Sequence, residues 1–381
     1  MLNVAARANI PPFHVMDVLS AANARQRAHG DMVSLAAGQP SAAPPRAVLD
    51  RAAETLRGTP LGYTEQLGIP ELREAVAGHY EKRYALDVSA GDVVATTGSS
   101  GGFLLAFLAA FDAGDRVALA RPGYPAYRNI LTALGCEVVE LPCGPDTRFQ
   151  PTVAMIEDAG PLDGLIIASP ANPTGTVLPA GELAAIAGWC ADHDVQLVSD
   201  EIYHGISYVG DAPASAWQFS REAVVVNSFS KYFAMTGWRL GWLLVPQRLF
   251  RAVDCLTGNF TICPPTLSQH AATAAFQYDE LDAHVDHYRV NRDVLTTGLT
   301  KLGIDRVAPV DGAFYAYADV SHLTTDTMAW CQRLLAETGL AIVPGIDFDP
   351  ELGHRFVRFS FAGPTRDVET ALERLGNWLA P

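Results

Sequence analysis

A chain of 381 residues carrying a net charge of -15 exceeds one ordinary domain, and it is too acidic to seek nucleic acid or an anionic membrane surface, which need basic patches. Its longest apolar run, from Gly101 to Phe111, is far too short to span a bilayer. The first residues, MLNVAARANIPPFHV, lack a charged segment followed by an apolar one, and the six cysteines are dispersed without CxxC pairs, so a cytoplasmic protein with buried free thiols is expected.

In chain order, residues 1–44 are too few for a domain and are expected to pack onto a smaller lobe. From Asp92 onward, short β-rich runs alternate with helical patterns. DVVATTG, RVALA, EVVELP, GLIIASP, QLVSDE, AVVVNSFS and GWLLVP read as strands. GGFLLAFLAAFDAG, PAYRNILTALG and GELAAIAGWCADH read as helices between them. Continuously apolar strands with helical crossovers predict an α/β domain over residues 45–280, its mostly parallel sheet covered on both faces. Functional side chains then gather at the carboxyl ends of the strands. Residues 281–381 read as a smaller α+β domain: a long helical stretch, the strand DGAFYAYADV, a helix near Met328 to Thr338, and FVRFSFAG.

Chemistry concentrates at those strand ends. The sequence has three lysines; Lys82 and Lys301 sit in amphipathic patterns, but Lys231 lies in the apolar, aromatic stretch SFSKYFAMTGWRLGW beside Arg239. TTGSSGG closes a strand and opens a helix, so the amides of Ser99 and Ser100 point along the positive end of that helix, a ready phosphate site. It is neither a GxGxxG nor a Walker loop. VSDEIYHG ends a strand with Asp200 and then Tyr203; SPANPTG supplies Asn172, RPGYPAY supplies Tyr124, and FVRFS supplies Arg358. Taken singly, each has a plainer explanation: a helix cap, a turn, a surface carboxylate, an arginine on the solvent face of an edge strand. Together they describe one site with a phosphate cradle, a lysine in an apolar setting, a carboxylate, a stacking ring and a carboxylate-binding arginine. A lysine so placed has a depressed pKa and forms a Schiff base with an aldehyde. The aldehyde that also carries a phosphate and a pyridine nitrogen is pyridoxal phosphate.

The motifs AAGQP, YTEQLGIPELREA, ASPANPTG, VSDEIYHG, SFSKYFAMTGWRLGW and FVRFS occur in the order and spacing of one family. Nearly end to end, the chain resembles the fold-type-I, class I/II aminotransferases of the aspartate aminotransferase superfamily. That resemblance implies a mixed, mostly parallel seven-stranded sheet, pyridoxal 5'-phosphate as cofactor, and a homodimer sharing its sites across the interface. It further implies that Lys231 holds the cofactor and moves the substrate's proton, that Asp200 pairs with the pyridine nitrogen, and that Tyr203 and Asn172 hydrogen-bond the ring oxygen. Tyr124 would stack on the ring. Ser99, Ser100, Ser228, Arg239 and the second subunit's copy of Tyr63 would hold the phosphate. Arg358, helped by the Gly38 backbone and Asn172, would clamp the substrate's α-carboxylate.

For the substrate's side chain, relatives that accept dicarboxylates often carry a lysine where this chain has Ser100. No Lys or Arg lies between Gly258 and Gln269, and Phe13, Val15 and Met16 offer an apolar pocket wall. A neutral aliphatic donor, valine or alanine with pyruvate, is therefore expected. Arg128 reads as a solvent-facing helix residue that would have to reach the pocket to alter this. The alternatives are aspartate–2-oxoglutarate transamination, a carbon–sulfur β-lyase, and a regulatory binding module, the last opposed by the acidic charge and the absence of a winged helix before AAGQP.

Overall fold

The computed structural model describes residues 3–210 and 212–380. The short strand β1 (Val33–Ser34) stands apart from the main sheet. The seven runs read as strands all form: β2 (Val93–Thr96), β3 (Arg116–Arg121), β4 (Glu137–Pro142), β5 (Gly164–Ala168), β6 (Gln196–Asp200), β7 (Val224–Ser228) and β8 (Gly241–Leu244). Their order is β2-β8-β7-β6-β5-β3-β4, with β8 antiparallel to both its neighbours and the other pairs parallel. Strands β6 and β7 are buried at every position, which is why they read as continuous apolar runs rather than alternating ones.

The helices follow from the same patterning. They are α1 (His14–His29), α2 (Arg46–Gly58), α3 (Pro70–Tyr84), α4 (Gly98–Ala110), α5 (Pro125–Leu134), α6 (Val153–Asp158), α7 (Ala180–Asp192), α8 (Gln247–Phe260) and α9 (Thr266–Ala272). Helices α3 and α5 start with proline in the first turn, where its missing N–H costs nothing. Helix α4 buries Phe103, Leu105, Ala106 and Phe107 in a core shared with Val226 and Leu243, so its first turn is fixed over the ends of β7 and β8. Each of the buried phenylalanine and leucine side chains contributes about 1.5–3 kcal/mol.

The chain then adds α10 (Tyr278–Lys301), α11 (Thr327–Thr338) and α12 (Thr365–Leu379), with strands β9 (Tyr315–Asp319), β10 (Leu340–Ala341), β11 (Val343–Pro344) and β12 (Phe356–Ser360). An antiparallel sheet β11-β12-β9 forms here, and β1 pairs parallel with β10. The N-terminal segment joins this region further through α1, whose Val15 and Ala22 share a core with Tyr317, Leu335, Ala341 and Val343. No helix among the described residues is long and apolar enough to cross a membrane. Cys136, Cys143, Cys190 and Cys331 are buried free thiols as expected, whereas Cys255 is exposed and Cys263 half-buried.

Candidate active site

The loops after β3, β5, β6 and β7 carry Tyr124, Asn172, Tyr203 and Lys231, and the turn from β2 into α4 lies against Arg239. Unlike the exposed Lys82 and Lys301, Lys231 is partly buried. Its Nζ donates to the Gly38 carbonyl at 2.6 Å and lies 5.6 Å from the Tyr203 ring centroid. Burial, with help from the Arg358 and Arg239 charges, draws its pKa down to about 8, against an opposing pull from Asp200. An amine so placed is uncharged in a useful fraction near neutrality.

Asp200 ends β6 and is buried. Its carboxylate accepts the Tyr127 hydroxyl and, at 3.0 Å, the Ile202 amide. Burial raises its pKa to about 6, while these two donors and Lys231 pull the other way. A cation facing it would restore the carboxylate fully. The hydroxyls of Tyr203 and Tyr315 meet at 2.7 Å, and the two rings lie edge to face. Tyr315 also explains why position 38 is glycine: a Cβ there would come within 2.5 Å of its hydroxyl oxygen.

The helix α4 N-terminus has the makings of an anion site. Its first amides have no intrahelical acceptor, and Thr97 provides no side-chain cap. Gly98, at φ +70°, sits so close to Arg239 that a Cβ would lie 2.6 Å from a guanidinium nitrogen. Fixed cationic and amide donors are thus brought to one point, beside the end of β7 where Ser228 is buried. Pyridoxal phosphate fits this donor set: a dianion cradle at one end, a buried carboxylate for the ring nitrogen, and a poised amine for the aldehyde.

Arg358 departs from the plain reading of an arginine on an edge strand. Strand β12 is the middle of its sheet, and Arg358 is only 2% exposed. Its Nη1 donates to Asn172 Oδ1 at 3.0 Å and its Nη2 to the Ala36 carbonyl at 2.9 Å, while the buried Nε has no partner. The guanidinium stacks 4.4 Å from the Tyr315 ring centroid and 4.9 Å from that of Phe348. A buried cation with a spare donor and no carboxylate of its own needs an anion from outside.

Tyr63 is 81% exposed and stays outside this cluster, on an open cavity of about 640 Å³ shared with Leu61 and Cys263 to Leu267. Arg239 is exposed in the single chain, bordering a wider cavity with Gln39, Trp238 and Ser268. Tyr124 reaches the site as the residue preceding α5, its ring edge-on to Tyr127 at 5.3 Å and to Phe13 at 6.0 Å. Of the three apolar candidates in the N-terminal segment only Phe13 makes this contact; Val15 is buried in the neighbouring core and Met16 is exposed. Ser99 is half-buried and Ser100 exposed at the α4 start. Arg128 is not solvent-facing: it is ion-paired with Glu140 at 2.9 Å and 20% exposed. Sequence reasoning missed Tyr127, Tyr315 and Phe348. The first two lie in PAYRNILTALG and DGAFYAYADV, where only their helix or strand character was legible.

The family model for aminotransferases of class I and II matches residues 30–375. The chain is 64% identical to the valine–pyruvate aminotransferase of Mycobacterium tuberculosis, covering 99% of this chain and 98% of that protein. It is 35% identical to the aspartate/prephenate aminotransferase of Thermus thermophilus, over 92% of this chain and 91% of that one. Among solved structures, an aminotransferase from Mycobacterium tuberculosis superposes with a TM-score of 0.98 at 63% identity, covering 100% of this chain and 99% of that one. The Thermus thermophilus aspartate aminotransferase with maleate superposes at 0.93 and 33% identity, over 99% and 100% of the two chains. By the family model and these relatives, the chain belongs to the class I and II aminotransferases and is a pyridoxal-phosphate-dependent transaminase of fold type I.

Proposed function

We propose that the enzyme moves the α-amino group of a neutral aliphatic L-amino acid, valine or alanine, onto pyruvate. The observation that carries this reading is the setting of Arg358. Its clamp is walled by Tyr315 and Phe348, with the Phe13–Tyr124 pair close by. A second carboxylate on the substrate would face rings rather than a fixed cation, at a cost of several kcal/mol. The name of the 64% identical relative supports the same substrates.

Bound at this site, pyridoxal phosphate supplies an electron sink and an amino carrier. Amides of Ser99 and Ser100, with Ser228 and Arg239, would hold its phosphate; Asp200, Tyr203 and Asn172 would hold its ring, and Tyr124 would stack on it. Arg358 and Asn172 grip the substrate's α-carboxylate with the Gly38 backbone alongside, which fixes the Cα–H bond relative to Lys231. Lys231 Nζ, already lowered to about 8, takes the proton leaving Cα and gives it back to complete the transfer. Asp200 supplies a fixed counter-charge through the proton's movement without solvent having to reorganise.

The test is a single-turnover half-reaction, following the absorbance of the bound cofactor after mixing holoenzyme with each L-amino acid. Fast bleaching with valine and alanine but not aspartate is expected. Fast bleaching with aspartate and glutamate would replace this reading with aspartate–2-oxoglutarate transamination, and pyruvate with ammonia from cystathionine would replace it with β-lyase chemistry.

We also propose a homodimer in which Tyr63, exposed in the single chain, reaches the phosphate of the second subunit, and in which residues 1–44 pack with the small domain 281–381 beside the cofactor-binding domain 45–280. Sedimentation at twice the 40.8 kDa chain mass is the expected outcome; an active species sedimenting as a single chain would overturn the shared site.

A further inference from the structure

We infer that Glu140 is a specificity-determining residue, occupying the Arg128 guanidinium so that it is withheld from acidic substrate side chains. The inference rests on the reading above that the substrate's side chain lies toward Phe13 and Tyr124. Arg128 follows Tyr124 by one turn of α5. Its Nη1 donates to Glu140 Oε1 at 2.9 Å and its Nη2 contacts the Asp347 carbonyl at 3.4 Å. That carbonyl belongs to the segment that holds the pocket wall. The Asp347 carboxylate accepts the His14 and Val15 amides at 2.9 and 2.6 Å, which fixes Phe13 just before them. Phe13 lies edge-on to Tyr124, and Phe348 packs on Arg358. Arg128 therefore stands immediately behind the wall made by Phe13, Tyr124 and Phe348.

Glu140 comes from β4, the outermost strand of the sheet, and both members of its pair with Arg128 are only 20% exposed. Its other oxygen lies 3.5 Å from Arg121, which also neighbours Asp349 and Glu351. Two guanidiniums, Arg121 and Arg128, thus meet three carboxylates: Glu140, Asp349 and Glu351. The wall is backed by a surplus of negative charge, and an acidic side chain approaching it is repelled where a neutral one is not. A partly buried arginine deprived of its carboxylate is left uncompensated, and the nearest mobile anion is the carboxylate of an acidic substrate.

The test compares wild type with Glu140→Gln, which keeps the side chain's size and an acceptor oxygen but removes its charge. Two ratios are read on holoenzyme: the half-reaction rate constant for aspartate over valine, and the affinity for succinate over butyrate by calorimetry. Both ratios should rise about tenfold in Glu140→Gln, and the rise should vanish in Glu140→Gln/Arg128→Gln. Unchanged ratios in the single variant, or a rise that persists in the double variant, would overturn the assignment. Should Glu140→Gln fail to retain cofactor, Arg128→Gln alone carries the test: it removes the nearer of the two cations paired with Glu140 and adds to the negative surplus, so both ratios should fall below wild type, and unchanged ratios there sink the idea. The wild-type ratio judges the neutral-substrate reading, whereas the shift between variants judges Glu140 whatever that ratio is.

Discussion

Lys231 and Gly38 stand 193 residues apart in the chain, yet the lysine Nζ donates to the Gly38 carbonyl at 2.6 Å. The N-terminal segment thereby reaches over the end of the main sheet and touches the reactive amine. Its path is fixed by β1 on β10, by the Leu35 carbonyl accepting the Ser360 amide at 2.7 Å, and by Arg358 gripping the Ala36 carbonyl. The Lys231 amine and the Arg358 guanidinium are thus held by one short run of backbone, Leu35 to Gly38.

Replacing Lys231 with alanine should remove the visible absorbance of the lysine-bound cofactor and abolish turnover, while the fold persists because the side chain makes only one hydrogen bond. Retained transamination in Lys231→Ala would mean that another base moves the Cα proton.

For Arg358→Ala, substrate affinity should fall by about 10²–10³ for every α-amino acid alike, as expected for loss of a buried charge-assisted pair. The aspartate-to-valine ratio should not change. An effect confined to dicarboxylates would move Arg358 from the α-carboxylate to the side-chain end of the substrate.

Tyr127→Phe removes the hydroxyl that donates to the Asp200 carboxylate and leaves the ring's packing against Phe103 intact. Because that donor is among the groups opposing the burial-driven rise of the Asp200 pKa, the variant should hold Asp200 protonated to higher pH. Weaker cofactor retention and an acid limb of the kcat/KM profile shifted upward are expected. A profile superimposable on wild type would mean that the hydrogen bond does not tune Asp200.

His79 is buried among aromatic rings, with Nδ1 2.9 Å from the Tyr278 hydroxyl, and burial lowers its pKa to about 3. Between that value and the ordinary 6.5 the unfolded chain binds a proton that the folded one refuses, so stability falls as pH drops through this window, by about 1.4 kcal/mol per unit. Asp200 and Glu201, whose pKa values burial raises to about 6 and about 7, have the opposite sign, favouring the fold as pH falls from those values towards the ordinary carboxylate range. The stability difference between wild type and His79→Gln isolates the histidine. Measured by urea unfolding, it should favour wild type most near pH 7 and shrink steadily below 6.5; a difference independent of pH would show that His79 ionises freely in the folded chain.

What the sequence by itself determined was everything that local pattern carries. Two-sided apolar runs such as AVVVNSFS specify buried parallel strands, and the glycine–serine turn before α4 specifies a helix start open to an anion. The isolation of Lys231 among apolar residues points to its chemistry, because a cation in such surroundings requires a function. Only the tertiary structure decided what depends on partners distant in the chain. Arg358 read as an edge-strand arginine until β11 and β9 paired on both sides of β12 and buried it. Arg128 read as solvent-facing until Glu140, on the adjacent strand β4, took its charge. Tyr127 and Tyr315 gave no signal, since a tyrosine in a helix or strand looks the same whether its hydroxyl meets water, Asp200 or Tyr203. Burial, charge pairing and hydroxyl partners are set by which strands become neighbours, and that arrangement is a property of the whole chain.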